Sequence, residues 1–153
     1  MTLVFAFLIG LFAGLRSFTP PAAVAWAVHL DWLKLMRPLS LIGSLPAVII
    51  LTLLAIGELI FDKLPNAPNR TAPLGLSGRI LTGGFTGACV SIAGGQSAFV
   101  GAGLGVIGGI AGCFGGYHAR AWLVKSLRQP DLYVALLEDL IAIGGSLFIV
   151  SRF

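Results

Sequence analysis

The chain has 153 residues, 57% of them hydrophobic and only 10% charged, with a formal net charge of +4 and a mean hydropathy of +0.97. Soluble domains carry about 25% charged residues, so this composition excludes a water-soluble globular protein, and the scattered positive charge lacks the dense basic run a nucleic-acid partner needs. What remains is one integral membrane domain, residues 1–153, with room for five or six spans at about 20 residues each.

Helix one is expected from Thr2 to Phe18, with Gly10 and Gly14 as a close-packing pair. No basic stretch precedes its apolar core, so it reads as a first membrane helix rather than a cleaved leader. It ends at RSFTPP, because Pro20 and Pro21 lack amide donors and Pro20 biases Thr19 away from helical angles. Residues 22–35 then form a short apolar piece that meets His29, Asp31 and Lys34, which suits a re-entrant or interfacial segment better than a span. Pro38 to Leu64 is the clearest span, with a kink expected at Pro46 and with Glu58 and Asp62 on one face near its end. The connection that follows, rich in Pro and Asn, reads as a set of ordered turns.

A minimal span from Leu76 to Ala93 leads through GGQS into Ser97 to Tyr117, the stretch around which the chain is organised. Gly101, Gly105 and Gly109 recur every fourth residue, as do Gly108, Gly112 and Gly116. In water each glycine costs a helix about 1 kcal/mol relative to alanine. In lipid the backbone has no other partner, and bare stripes become glycine-zipper contact surface. A basic amphipathic continuation, HARAWLVKSLR, is expected at the interface, and helix five runs from Pro130 to the terminus. The fold expected is an all-α polytopic bundle of about five transmembrane helices plus short re-entrant or interfacial helices.

Two short echoes, GLFAG with GGIAG and AVAWAV with ARAWLV, fit one duplication. With three helices between the copies they point in opposite directions, an inverted repeat of the kind transporters use; chance matching of small residues explains the same echoes. Five spans place Lys63, Arg70, Arg79, Arg120, Lys125 and Arg128 on the side of the N-terminus and Arg16, Lys34, Arg37 and Arg152 opposite. That bias predicts a cytoplasmic N-terminus, an assignment that counting residues 22–35 as a span would break.

Charges inside a membrane are costly, so each is a functional candidate. Glu138 and Asp139 lead, since Glu138 falls roughly 12 Å along helix five. Glu58, Asp62, Arg79 and Arg120 belong to the same face. They pin helices as ion pairs, or they line a proton or ion relay. Arg16, with Ser17 and Thr19, sits at the helix break, where a guanidinium binds a phosphate or carboxylate or snorkels to the interface. Asn66, Asn69, Arg70 and Thr71 bind a lipid headgroup or stabilise turns. His29 and His118 lack partners at ligand spacing, and Cys89 and Cys113 read as packing residues, so neither a metal nor a cofactor is expected. No nucleophile elbow, P-loop or HExxH is found, and no enzymatic activity is expected.

The segments GLRSFTPPAAVAWA, GELIFDKLPNAPNRTAPLGLSGR and YHARAW followed by LLEDLIAIGGSL resemble a family of small bacterial multi-pass membrane proteins known only as a domain of unknown function. The resemblance implies an integral membrane protein of about this size and supplies no activity. From the residues themselves two functions are in play. One is a small homo-oligomeric transporter or channel, packed through its glycine stripes in a bacterial cytoplasmic membrane and passing an ion or small anionic solute. The other is a non-transporting module that binds lipid headgroups or a partner protein.

Overall fold

A computed structural model describes residues 1–63, 72–127 and 131–153. Six helices follow in order: α1 (Thr2–Leu15), α2 (Thr19–His29), α3 (Leu45–Phe61), α4 (Pro73–Ala93), α5 (Ala98–Leu127) and α6 (Asp131–Val150), with a 3-10 turn at Leu39–Gly43 before α3. No strand occurs among the described residues. The expected all-helical bundle is what the chain forms.

The centre of the bundle is a three-helix seam of α1, α4 and α5. Gly83 of α4 faces Gly105 of α5 so closely that a methyl group on Gly83 would come within 2.7 Å of the Gly105 carbonyl oxygen. A methyl group on Gly10 of α1 would meet the same Gly105 backbone at 2.7 Å, and one on Gly14 would meet Gly112 at 2.7 Å. A residue that is costly in an isolated helix here permits axes too close for any β-carbon. The stripes are thus spent within the chain. A homo-oligomer joined through them, as the sequence suggested, would have to displace α1 or α4.

These contacts also fix direction. Residue numbers rise together in the α1–α5 pairing (Gly10 with Gly105, Gly14 with Gly112) and run oppositely in the α4–α5 pairing (Gly83 with Gly105, Gly87 with Gly101). Hence α1 and α5 are parallel, and α4 is antiparallel to both. The two GLFAG-like copies therefore share a direction, which overturns the inverted repeat. Moreover, AVAWAV lies on α2, beyond a break, whereas ARAWLV continues α5 without one. The stretch after Tyr117 continues the same helix, which is 30 residues long.

The short segment after the prolines is also corrected. Pro20 and Pro21 stop α1 and start α2, occupying first-turn positions where a missing N–H is harmless. Helix α2 is buried from Thr19 to Ala25 and again at Ala27, because its alanines let it lie inside the bundle rather than at an interface. It carries the chain back, so that Val24, Ala27 and Leu33 join Ile9, Val90 and Ile149 in the main apolar core. Pro46 does not kink α3. It opens it, in the first turn.

With α2 counted as a crossing, all six helices alternate in direction and both termini lie at one end, where Phe5 packs edge-on against Phe153. Arg16 shares the other end with Lys63, because both contact Asp139. The five-span assignment places them on opposite sides.

Two helices, Ala98–Ser126 and Asp131–Val150, are long and apolar enough to cross a membrane, and α1 and α3 are shorter apolar helices. The outer surface presents large apolar side chains, among them Leu53, Ile60, Leu81, Phe99 and Leu140, while Arg16, Arg79, Glu138 and Asp139 are buried. That distribution inverts the one water favours.

Candidate functional site

The charged groups of the interior gather at the tip between α1 and α2, residues 16–18, at the end of the bundle away from the termini. A reversal of this kind leaves the last carbonyls of one helix and the first N–H groups of the next without partners. Both sets are satisfied from other helices by side chains of opposite charge. Arg79, buried in the second turn of α4, donates from Nη1 to the carbonyls of Gly14 (2.5 Å) and Leu15 (2.7 Å). Glu58, near the end of α3, accepts the N–H groups of Ser17 (2.7 Å) and Phe18 (2.9 Å). A cation thus sits at a helix C-terminus and an anion at a helix N-terminus, the arrangement each macrodipole favours.

Between these caps lies Arg16, fully enclosed at 0% exposure. Its Nη1 donates to Asp62 Oδ2. Its Nη2 lies 2.5 Å from Asp139 Oδ1, as a charge contact rather than an aligned hydrogen bond. Asp139 in turn accepts 2.7 Å from Lys63 Nζ, which also donates to the carbonyl of Leu59. Two cations and two carboxylates form a neutral chain running from the interior outward, since the Asp62 and Lys63 side chains are 22% and 25% exposed. Pairing is what makes such burial tolerable. Arg16 Nε has no hydrogen-bond partner among the described residues.

Helix α6 reaches this hub because its inward stripe, Val134, Ala135, Glu138, Asp139, Ala142, Ser146 and Ile149, follows helical spacing with two acids in register. The two acids part company there. Asp139 enters the hub. Glu138 turns to α5, where its Oε2 lies 3.8 Å from Arg120 Nη1, while Arg120 forks onto Asp131 with Nε 2.7 Å from Oδ1 and Nη2 on Oδ2. An apolar cleft of about 210 Å³ between α5 and α6 reaches this second cluster, walled by Leu15, Leu123, Val134 and Ile141.

The structure therefore gathers Arg16, Ser17, Glu58, Asp62 and Asp139 into one hub with Arg79 bracing it, and assigns Arg120 and Glu138 to a separate pair. Thr19 is buried beside the hub with its hydroxyl unpartnered. Asn66, Asn69, Arg70 and Thr71 lie outside the described residues. Two members of these clusters, Lys63 and Asp131, escape a reading of the sequence. Adjacency to Asp62 is the only signal for Lys63, and Asp131 has the position of an ordinary first-turn acid. His29 Nδ1 contacts the carbonyl of Gly43 at 2.9 Å, and His118 stacks edge-on against Tyr117.

Fold and site together define a class: a small all-helical bundle with an apolar exterior and an ion-paired interior at one end. The chain belongs to the family described as Domain of unknown function (DUF4126), whose model matches residues 3–151, as the quoted motifs implied. No curated protein and no solved structure matches it.

Proposed function

We propose that this is an integral membrane transporter or channel for a small ion or anionic solute, with the hub as a gate drawn in its closed arrangement. The observation that carries this reading is Arg16. A guanidinium with no exposure, held at a helix break by carboxylates from two other helices and linked to partly exposed Asp62 and Lys63, is what a charge-relay gate requires. Broken helices of this kind hold ligands in many transporters. Protonating Asp62 or Asp139, or bringing a competing anion to Arg16, would loosen the chain of pairs. Toward the other end the core of Ile9, Val24, Leu33 and Val90 closes the path.

The membrane assignment draws on the apolar exterior and the two long helices. Among the described residues the hub end carries Arg16, Lys63, Arg79, Arg120 and Lys125, and the other end Lys34, Arg37 and Arg152. Under the positive-inside rule the hub end faces the cytoplasm of a bacterial cell and both termini are exported, which reverses the orientation expected from five spans. Any self-association would use outer faces such as that of α3, where only Val48 and Ala55 are buried.

Proteoliposomes test the proposal directly, with a pH-sensitive dye for protons and efflux assays for chloride and phosphate. Flux of at least one of these should depend on the protein and fall in Asp139→Asn and Arg16→Lys variants whose thermal unfolding stays close to that of the parent. Flux equal to empty liposomes for all three, or full flux in both variants, would leave the hub a purely structural clamp.

A further inference from the structure

We infer that the cleft between α5 and α6 is a binding site for an anionic phospholipid of the surrounding bilayer, one acyl chain entering the apolar part and the phosphate resting at its charged mouth. The inference rests on the membrane reading and not on transport, so a protein that moves nothing would leave it standing.

Two adjoining hollows share Arg120. The inner one, of about 210 Å³, is apolar apart from Arg120 and Glu138. The outer one, of about 360 Å³, is bordered by Tyr117, Arg120, Val124, Lys125 and Asp131. Arg120 stands at the boundary between them, so the greasy inner hollow abuts, toward the hub end, an outer one whose rim carries Lys125 and Asp131. That division matches a lipid, whose chain gains from every methylene it buries and whose headgroup needs a polar exit.

The polarity of the mouth selects the lipid. Arg120 spends Nε and Nη2 on Asp131, while its Nη1 stands 3.8 Å from Glu138, beyond hydrogen-bond reach. Lys125 has no ion-pair partner among the described residues and lies beyond Tyr117 on the same helix. An uncommitted ammonium about two helical turns beyond a half-exposed tyrosine, both bordering the outer hollow, is a combination that meets phosphate at a membrane interface. A phosphate there is balanced by Lys125, since Arg120 is already paired with Asp131 and Glu138. A zwitterionic headgroup would bring its own cation into a place that already holds one.

Gly115 supplies the test, because it borders the cleft and a β-carbon there would meet nothing within 4 Å. Gly115→Leu therefore fills the groove without forcing the backbone. Gly103→Leu is its control, equally open but remote from the cleft. The full chain, purified in detergent, is mixed with equal amounts of dioleoyl phosphatidylglycerol and dioleoyl phosphatidylcholine, and retained lipid is read by native mass spectrometry. Phosphatidylglycerol should be retained preferentially. Gly115→Leu should cut its retention about tenfold, Lys125→Gln about fivefold, and Gly103→Leu should change nothing. Equal retention of both lipids would overturn the inference. So would a loss in Lys125→Gln with none in Gly115→Leu, since that places the lipid on the rim and leaves the cleft empty. Glycerol phosphate without acyl chains should not compete, and if it displaces the lipid the site recognises free phosphate instead.

Discussion

The two ends of α1 are held by opposite means. Along its length, Gly10 and Gly14 lie against the backbones of α4 and α5, and what holds them is close contact between surfaces with no polar side chain. At its tip, residues 16–18 are held by charged side chains drawn from α4, α6 and the C-terminal end of α3. The seam tolerates no added atom, and the hub tolerates no missing charge. A bundle that needed only stability would use the first device throughout, because replacing buried ion pairs with well-packed apolar groups is often neutral or stabilising. The hub is thus where function is to be sought.

Four substitutions sharpen or break that contrast. Arg16→Met leaves Asp62 and Asp139 facing each other without their shared cation, and should cost about 3–5 kcal/mol in thermal or denaturant unfolding in detergent. Adding Asp62→Asn to it leaves Lys63 and Asp139 as a neutral pair and should restore most of the loss while any flux stays abolished. If the double variant transports normally, the hub has no role beyond its own neutrality. Gly105→Val places a branched side chain between the backbones of Gly83 and Gly87, and should cost about 3 kcal/mol. An unfolding midpoint unchanged by that substitution would mean that the seam is looser than its contacts indicate. Arg79→Met withdraws the donor shared by the Gly14 and Leu15 carbonyls, and should cost about 1–3 kcal/mol on the same unfolding measurement. Gly103→Ala, on the same helix as Gly105 but with nothing nearby, should stabilise by up to about 1 kcal/mol. The opposite signs expected at positions 103 and 105 separate helix propensity from packing on a single element.

Much of this is legible in the residues. The spacing of Gly101, Gly105 and Gly109 announces close helix contact, the double proline announces the break after Arg16, and the short GGQS link announces that α4 and α5 are antiparallel neighbours. The cost of burying charge singles out Glu58, Asp62, Arg79 and Asp139. How these groups pair is not legible. That depends on whether α2 crosses the bundle, and its eleven residues are too few for the length rule that identifies a span. Small side chains let it lie buried where a longer, greasier helix is expected, and missing that crossing misplaces every later element. Arg16 falls on the wrong side, and the repeated motifs acquire opposite directions. Neighbouring Glu138 and Asp139 read as one group in the sequence, although adjacent residues point about 100° apart on a helix, enough to serve different neighbours.

The hub also sets an order of events during synthesis. Arg16 precedes its partners in the sequence: Glu58, Asp62 and Arg79 follow only with α3 and α4, and Asp139 only with α6. Until that helix emerges, the most enclosed cation of the mature molecule has no complete set of counter-charges. The α1–α2 hairpin must therefore settle only after α6 has arrived.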